Sequence, residues 1–219
     1  MKRITMLFFT FLMALLLASC SDKNDGFAAK SYTADGTQVK AVQIDVRDRK
    51  IVISVAQDDR IHLDYYENEK EYYDISITDG NKLCVTMKTD KEWSDYIGGK
   101  IASEKRSLSL QVPGKLLESL ELSTSNEDIR LPALTVTDHI SISGNNSNIT
   151  FERVDVGSGL TLKTKNGNIS GTVVGSCETF SIACDIKKGK TNLPQSKESG
   201  TKDIHVTVNN GDANIEFTS

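Results

Sequence analysis

The stretch LELSTSNEDIRL at residues 120–131 is repeated as ISISGNNSNITF at 140–151 and as LTLKTKNGNISG at 160–171. Equivalent positions in successive copies are twenty residues apart. Four of these positions are apolar in every copy and form columns: Leu120, Ile140 and Leu160; Leu122, Ile142 and Leu162; Ile129, Ile149 and Ile169; Leu134, Val154 and Val174. A repeat of this length is typical of solenoids, in which each unit packs on the next.

Within a unit the apolar residues form pairs two residues apart, which places both members on one side of a short strand. In the first copy the pairs are Leu120/Leu122, Ile129/Leu131 and Leu134/Val136. Three such strands predict a three-sided coil, and coils stack through parallel strands about 4.8 Å apart. We therefore predict an all-β fold, a single-stranded parallel β-helix that is right-handed, the hand that parallel crossovers favour.

An asparagine follows the first strand of each unit, and a last copy of the repeat carries one too. These residues are Asn126, Asn146, Asn166 and Asn210. Asparagine tolerates the left-handed backbone that a tight corner needs. The column predicts a structural corner ladder, with a calcium or sugar site as the alternative.

Residues 41–112 show strand alternation without the repeat, as in Val42, Ile44 and Val46. Asp79-Gly80 lies between two alternating runs and indicates a hairpin. We predict that 41–112 is an irregular antiparallel β lobe or cap, followed by the regular repeats of 113–219. The copy that starts at Phe180 slips out of register and could close the far end of the stack.

The N-terminus has the pattern of a secretory signal, with Lys2 and Arg3 before an apolar run at 6–17. Residues 17–20, Leu-Ala-Ser-Cys, resemble the lipobox of bacterial lipoproteins, which implies cleavage before Cys20 and lipidation of its thiol. We predict a signal peptide at 1–19, a flexible tether at 20–40 and a folded domain at 41–219. The predicted location is the cell envelope, anchored by lipid and facing the periplasm or the exterior.

Composition and motifs argue against several functional classes. The formal net charge is −4, and no basic stripe points to nucleic acid. No metal-ligand or cofactor motif is present, and the pairing of Cys177 with Cys184 stays open. A polysaccharide-cleaving site would need Glu127, Asp128 and Asp155 to meet nearby basic residues. We predict no catalytic residues, no metal and no cofactor.

Aromatic residues are concentrated before the repeats, and exposed aromatic rings suit sugar or protein partners. The alternative is that they pack over the end of the coil as a cap. The candidate contact residues are Tyr65, Tyr66, Tyr72, Tyr73, Trp93 and Tyr96.

The segments LKTKNGNISG at 162–171 and VTVNNGDANIEF at 206–217 resemble the DUF4097 family of bacterial β-helical, adhesin-type domains. The resemblance spans residues 42–217 and implies an all-β coil at the cell envelope, without family catalytic residues to carry over. The expected function is a lipid-anchored, non-catalytic scaffold for adhesion or protein interaction. The alternatives are a carbohydrate-binding or polysaccharide-processing β-helix, and a scaffold that stacks end to end.

Overall fold

The computed structural model describes residues 26–96, 101–114 and 117–218, and this part of the chain is nearly all β. The strands of the N-terminal half are β1 (Ala28–Asp35), β2 (Ala41–Asp45), β3 (Lys50–Val55), β4 (Arg60–Glu67), β5 (Glu71–Ile77), β6 (Lys82–Thr89) and β7 (Ser107–Val112). The next are β8 (Ser119–Ser125), β9 (Ile129–Leu131), β10 (Leu134–Val136), β11 (His139–Asn145), β12 (Ile149–Val156), β13 (Gly159–Asn166) and β14 (Ile169–Val174). The last are β15 (Phe180–Lys188), β16 (Ser196–Lys197), β17 (Lys202–Asn210) and β18 (Ala213–Thr218). Short 3₁₀ helices cover Gly36–Gln38, Trp93–Tyr96, Ser103–Arg106 and Cys177–Thr179.

The strands form two nine-stranded sheets whose inner faces enclose one hydrophobic core. The first sheet has the order β16-β15-β17-β13-β11-β8-β2-β6-β5. The second has the order β1-β4-β7-β3-β9-β12-β14-β18, and β10 also pairs with β12. Pairing is parallel through the middle of both sheets. It is antiparallel at both ends of the first sheet and at the β1 end of the second, whereas β18 at the other end of the second sheet pairs in parallel. Because the sheets are mixed, a single parallel β-helix does not describe the whole domain.

The repeat forms parallel ladders with the predicted step of twenty residues. Ile140 pairs with both Leu120 and Leu160, and Ile149 pairs with both Ile129 and Ile169. All six side chains of these two columns are at most 1% exposed. The first and third of the predicted columns are therefore confirmed.

The fourth column differs from the prediction in its third copy. Val154 pairs with Val173 rather than with Val174, because the register shifts between Phe151 and Val154. The bulge puts two residues of β12 opposite one residue of β14, so the buried valine comes one position earlier. The predicted third side of the coil is also absent as a separate sheet, since β9 and β10 both pair with β12.

The N-terminal half continues the stack and is not a separate antiparallel lobe. In β2, Val42 pairs in parallel with Leu120, and in β3, Ile51 pairs in parallel with Ile129. Strands β6 and β7 add one further parallel level beyond β2 and β3. Only β1, β4 and β5 are antiparallel, and they cover this end of the stack. The two-residue alternation in 41–112 turns the same kind of apolar face inward as in the repeats, so these strands extend the same ladders without keeping the step of twenty.

The first strand lies where the sequence predicted a flexible tether of residues 20–40. Strand β1 pairs with β4 over its whole length, from Ala28 opposite Glu67 to Asp35 opposite Arg60. Its Tyr32 packs against the core. The described chain is therefore folded from Ala28, since a fully paired strand has no tether character.

At the other end, the order of levels in space differs from their order in the chain. Strands β17 and β18, the last in sequence, lie next to β13 and β14, and β15 lies outside β17. The slipped copy at Phe180 is thus the outermost level of the first sheet, as its slip suggested, and the short β16 covers part of its edge. No helix within the described ranges is both long and apolar enough to cross a membrane.

Candidate binding cleft

A cleft of ≈ 740 Å³ opens where the chain after β2 turns away from the hairpin of β5 and β6. Strand β2 pairs with β6 as far as Asp45 opposite Thr86. The chain then turns with β8, because the amide of Val46 donates to the Ser123 carbonyl at 3.0 Å. Strand β6 instead continues straight beside β5, as far as Thr89. The cleft is the gap between the turning chain and the straight hairpin.

The lining of this cleft is mixed in chemistry and includes charges of both signs. Hydroxyl and amide side chains come from the carboxyl ends of the neighbouring parallel strands β8 and β11 and from Thr89 at the end of β6, and Met87 supplies an apolar surface. The lining residues are Asp45, Val46, Arg47, Asp48, Glu71, Met87, Thr89, Lys91, Ser123, Thr124, Ser125, Asn126 and Asn145. A concave site of a few hundred Å³ with convergent polar groups is the usual form of a small-ligand site.

An ion cluster buried behind the cleft fixes its wall. The side chains of Arg49 and Glu71 are 1% and 5% exposed, and they form a salt bridge through Nη2 and Oε2. The Nε of Arg49 donates to the Tyr73 hydroxyl at 3.1 Å. Lys91 pairs with the other carboxylate oxygen of Glu71. Burial, reinforced by the charge of Arg49, lowers the pKa of Lys91 below its ordinary value. The Glu71 carboxylate is thus held in place by two cations.

At the opposite wall, Asp48 has a side-chain hydrogen-bond partner and the Ser125 hydroxyl has none among the described residues. The side chain of Asp48 accepts a hydrogen bond from Asn126 Nδ2 at 2.6 Å. The hydroxyl oxygen of Ser125 is buried and has no hydrogen-bond partner among the described residues. A buried hydroxyl without a partner is uncommon and marks a position where a ligand group could supply one.

A second cleft of ≈ 520 Å³ lies next to the first and shares Lys91 with it. Phe27, just before the first strand, lines this second cleft. Its ring lies 5.6 Å from the Arg49 guanidinium carbon. On the other side, Lys70 and Asp95 form an ion pair at 2.6 Å. The N-terminal end of the described chain therefore lies beside both clefts.

Two of the six predicted aromatic residues belong to the core. The rings of Tyr65 and Tyr73 meet edge to face with centroids 4.9 Å apart, and both pack against the core. Burial, with the charge of Glu67 as a smaller cause, raises the pKa of Tyr65 to about 12. These two residues close the end of the stack, as the cap alternative predicted.

The remaining aromatic residues are spread over different surfaces. Tyr72 is 38% exposed on β5, and its hydroxyl lies 3.4 Å from an Asp90 carboxylate oxygen. Trp93 is 76% exposed, and Tyr66 is half-buried on β4, in the other sheet. The side chain of Tyr96 lies outside the described residues, as does Cys20. The five described aromatic side chains form no common platform, and none of them lines the larger cleft.

The four predicted asparagines form one hydrogen-bonded row along the corner of the stack. Nδ2 of three of them donates to Oδ1 of the asparagine one level away: Asn146 to Asn126 at 2.7 Å, Asn166 to Asn146 at 2.5 Å, and Asn210 to Asn166 at 2.6 Å. Asn126 and Asn146 have φ of 60° and 62°, in the left-handed region. The row ends at Asp48, so this corner leads directly into the cleft. Asp48 itself was missed from the sequence, since it lies outside the regular repeats.

A second row, also missed, runs beside the first and binds backbone amides. Asp128 accepts from the Asn148 amide at 2.9 Å, Asn148 from the Asn168 amide at 2.9 Å, and Asn168 from the Asp212 amide at 2.8 Å. Three of these residues keep the step of twenty, so the repeat itself carried the signal.

Other groups considered from the sequence do not converge. Glu127 pairs with Arg106, Asp128 belongs to the second row, and Lys202 lies 3.5 Å from Asp155. No group of three or more metal-binding side chains is found in the described ranges. Cys177 and Cys184 are free thiols, as is Cys84, so the open question of their pairing is answered.

Fold and cleft together define an all-β protein of stacked coils, with mixed sheets and a polar recess at its N-terminal end. The chain belongs to the DUF4097 family, described as Toastrack DUF4097, whose model matches residues 39–219. Comparison with curated protein sequences gave no significant match.

Several solved structures match this chain. One is a Clostridium sporogenes protein provisionally described as a cell adhesion protein, with a TM-score of 0.55, 9% identity, and coverage of 88% of this chain and 100% of that chain. A provisional adhesin of Bacteroides fragilis has a TM-score of 0.33, 12% identity, and coverage of 89% and 98%. A provisional lipid-binding protein of Parabacteroides distasonis has a TM-score of 0.34, 10% identity, and coverage of 90% and 98%. The likeness to the Clostridium sporogenes protein, at 9% identity, concerns the fold alone.

Proposed function

We propose that the protein is a lipid-anchored module of the cell envelope that contacts another envelope component without catalysis, as an adhesion or interaction scaffold. The observation that carries this proposal is the larger cleft and its place beside the N-terminal end of the folded chain. The cleft provides a specific contact site, and the anchor holds that site close to the membrane.

The lipid anchor is supported by the lipobox-like residues 17–20. Because the chain is already folded at Phe27, the domain can lie only a short distance from a lipid attached at Cys20. Seven residue steps separate Cys20 from Phe27, which contacts the Arg49 guanidinium behind the cleft. A fully extended chain of this length spans about 25 Å. The cleft would then act within a short distance of the membrane surface, where its partner is another component of the same envelope.

Recognition in the cleft is supported by its preorganised polar groups. The Glu71 carboxylate is fixed by Arg49 and Lys91, and that of Asp48 is fixed by Asn126. Groups already held in place lose little conformational entropy on binding, which favours affinity. The provisional cell-adhesion description of the Clostridium sporogenes protein is compatible with such a contact role.

A second candidate function is carbohydrate binding, and the chemistry of the cleft favours it. Charges of both signs, amides and hydroxyls, with the unpartnered Ser125 hydroxyl among them, can donate to and accept from the hydroxyls of a neutral sugar. The volume of ≈ 740 Å³ is within the range of small-ligand sites.

Anchoring is tested by expressing the full-length chain and its Cys20→Ala variant in a bacterium that processes lipoproteins. We expect the parent to enter the detergent phase on phase separation and to carry acyl chains on Cys20 by mass spectrometry, whereas the variant remains aqueous. An unacylated parent that is cleaved elsewhere would overturn the anchor.

Recognition is tested with the chain from Ser21 on a glycan array and on purified envelope polysaccharides. Thr89→Trp places an indole ring in the cleft from an exposed position and so narrows it, and Lys163→Trp adds the same ring to an exposed strand position outside it. We expect at least tenfold weaker binding for Thr89→Trp and parent-like binding for Lys163→Trp. Equal loss in both variants would place the contact elsewhere, and no glycan binding in any form would remove the second candidate.

A further inference from the structure

The last segment of the chain fills a slot between two levels that precede it in sequence. Ile204 of β17 pairs with Leu160 of β13 on one side and with Ile182 of β15 on the other. Strand β18 continues the same level beside β14, and a bridge joins Ala213 to Thr191 on its far side. Residues 202–218 therefore form an interior level of the stack, although they follow both flanking levels in sequence.

The lengths of the connections between levels explain why this slot is present. Two residues, 137–138, join β10 to β11, and two residues, 157–158, join β12 to β13. Five residues, 175–179, join β14 to β15, and β15 lies one level further away. The longer connection leaves room for one complete level, and residues 202–218 occupy it.

Both walls of the slot fix the register of the inserted segment. The Gly211 amide donates to the Lys188 carbonyl at 2.8 Å, and the Asn210 carbonyl accepts from the Gly167 amide at 3.0 Å. Gly211 has φ of 141°, and a Cβ there would lie 2.1 Å from the Gly167 carbonyl oxygen. Only glycine therefore fits this corner. The inward side chains of Ile204 and Ile215 are fully buried, so the segment completes the core as well.

The segment has a single covalent connection to the rest of the described chain. An exposed stretch, 198–201, joins it to β16. Within the described chain, a movement at this stretch alone is enough to release the segment from the slot. In its absence β15 keeps only the two-residue β16 as a strand partner.

We propose that residues 202–218 are an exchangeable closing segment, and that the slot accepts the same segment from a second copy of this chain. Exchange of an identical element needs no new contacts, because every native pairing is re-formed between copies. The chain's own segment is favoured by an effective concentration that is about millimolar for a short connection. Exchange between copies becomes substantial when the protein concentration approaches that value, or when the last levels open transiently.

The test uses a cross-link that only a seated segment can form. Thr161 of β13 and His205 of β17 are paired on the outer face of the first sheet. Paired strands are about 4.8 Å apart, which a disulfide can bridge. Thr161→Cys is introduced in one tagged copy and His205→Cys in a second copy with a different tag. The two are mixed at micromolar and near-millimolar concentration, each with and without a passage through the urea midpoint, and then oxidised.

We expect disulfide-linked pairs carrying both tags after the urea passage. Their yield should be at least tenfold higher at near-millimolar than at micromolar protein concentration. The control replaces His205→Cys by Glu216→Cys, which lies on β18 in the other sheet and should give only the background of the native thiols. A chain carrying both Thr161→Cys and His205→Cys should close its disulfide internally, which verifies the geometry. Mixed-tag pairs at the control level under all conditions would overturn the proposal.

A second measurement does not depend on cysteines. A labelled peptide of residues 199–219, in excess during refolding, should be retained by the full chain on gel filtration. The Gly211→Val peptide should not be retained, because its side chain collides with the Gly167 carbonyl. Equal retention of both peptides, or of neither, would contradict specific seating in the slot.

Discussion

The buried pair of Arg49 and Glu71 should behave as one unit in stability measurements. In Arg49→Leu, the Glu71 carboxylate stays at 5% exposure and keeps only Lys91 as an ion partner. Breaking a buried pair by removing one member costs about 3 to 5 kcal/mol. We expect about 3 kcal/mol for Arg49→Leu, because Lys91 still neutralises part of the charge, and about the same for Glu71→Leu, which leaves Arg49 unpaired.

The double variant is the informative one. With both charges replaced by apolar side chains neither of the two most buried charges remains, and Lys91, whose side chain is 18% exposed, keeps access to solvent. The loss should therefore be about 3 kcal/mol or less, not the sum of about 6 kcal/mol. Urea unfolding followed by far-ultraviolet circular dichroism gives the free energy of unfolding. Arg47→Leu is the matched control, since Arg47 is exposed, and should change the free energy by less than about 0.5 kcal/mol. Additive losses in the double variant would refute the assignment of a coupled buried pair.

Three further changes test the corner, the cap and the core. Asn146→Ala should lower the free energy of unfolding by about 1 to 2 kcal/mol, and Asn146→Gly by less, because glycine keeps the left-handed φ of 62°; equal losses in urea unfolding would refute the backbone argument. The pKa of Tyr65 is raised to about 12, so its neutral hydroxyl contributes its full stabilisation below pH 10, and this contribution is lost as the pH rises toward 12. Across this range the free energy of unfolding of the parent should fall by about 1 kcal/mol more than that of Tyr65→Phe, a value discounted for partial exposure. Gly171→Ala should lower the free energy of unfolding by about 1 to 3 kcal/mol, because the added Cβ would lie 2.2 Å from the Phe151 ring. Phe151→Leu in the same chain should recover part of this loss. Calorimetry showing no recovery would contradict this contact.

Sequence reasoning found the inward-facing residues because a strand period of two and a repeat of twenty are local properties. Leu120, Ile140 and Leu160 could be placed in one ladder without coordinates. The position of Val173 could not, since a bulge moves the register by one residue and leaves the apolar pattern almost unchanged.

The order of the levels was beyond the sequence for a different reason. Equivalent units carry the same apolar positions, so Ile182 and Ile204 are equally suited to pair with Leu160, and the period alone cannot decide between them. The same applies at the other end, where Val42 continues the ladder of Leu120 although the two are far apart in sequence.

The candidate site was the least predictable part. The cleft exists because the turn after Asp45 and the straight end of β6 separate, and neither segment has a recognisable binding motif. The buried state of Arg49 was equally hidden, since an arginine in a polar turn is ordinarily exposed. The concentration of aromatic residues pointed to the correct end of the domain, but not to the residues that line its recess.

The central claim, that the cleft is the contact site of an anchored envelope module, is tested most directly inside the envelope. A photo-crosslinking amino acid placed at Thr89 in the lipidated full-length protein lies within the cleft, and one at Lys163 lies on an exposed strand outside it. After irradiation of living cells, we expect a discrete adduct with an envelope component from Thr89 and none above background from Lys163. The same adduct in equal yield from both positions, or from Lys163 alone, would contradict the account.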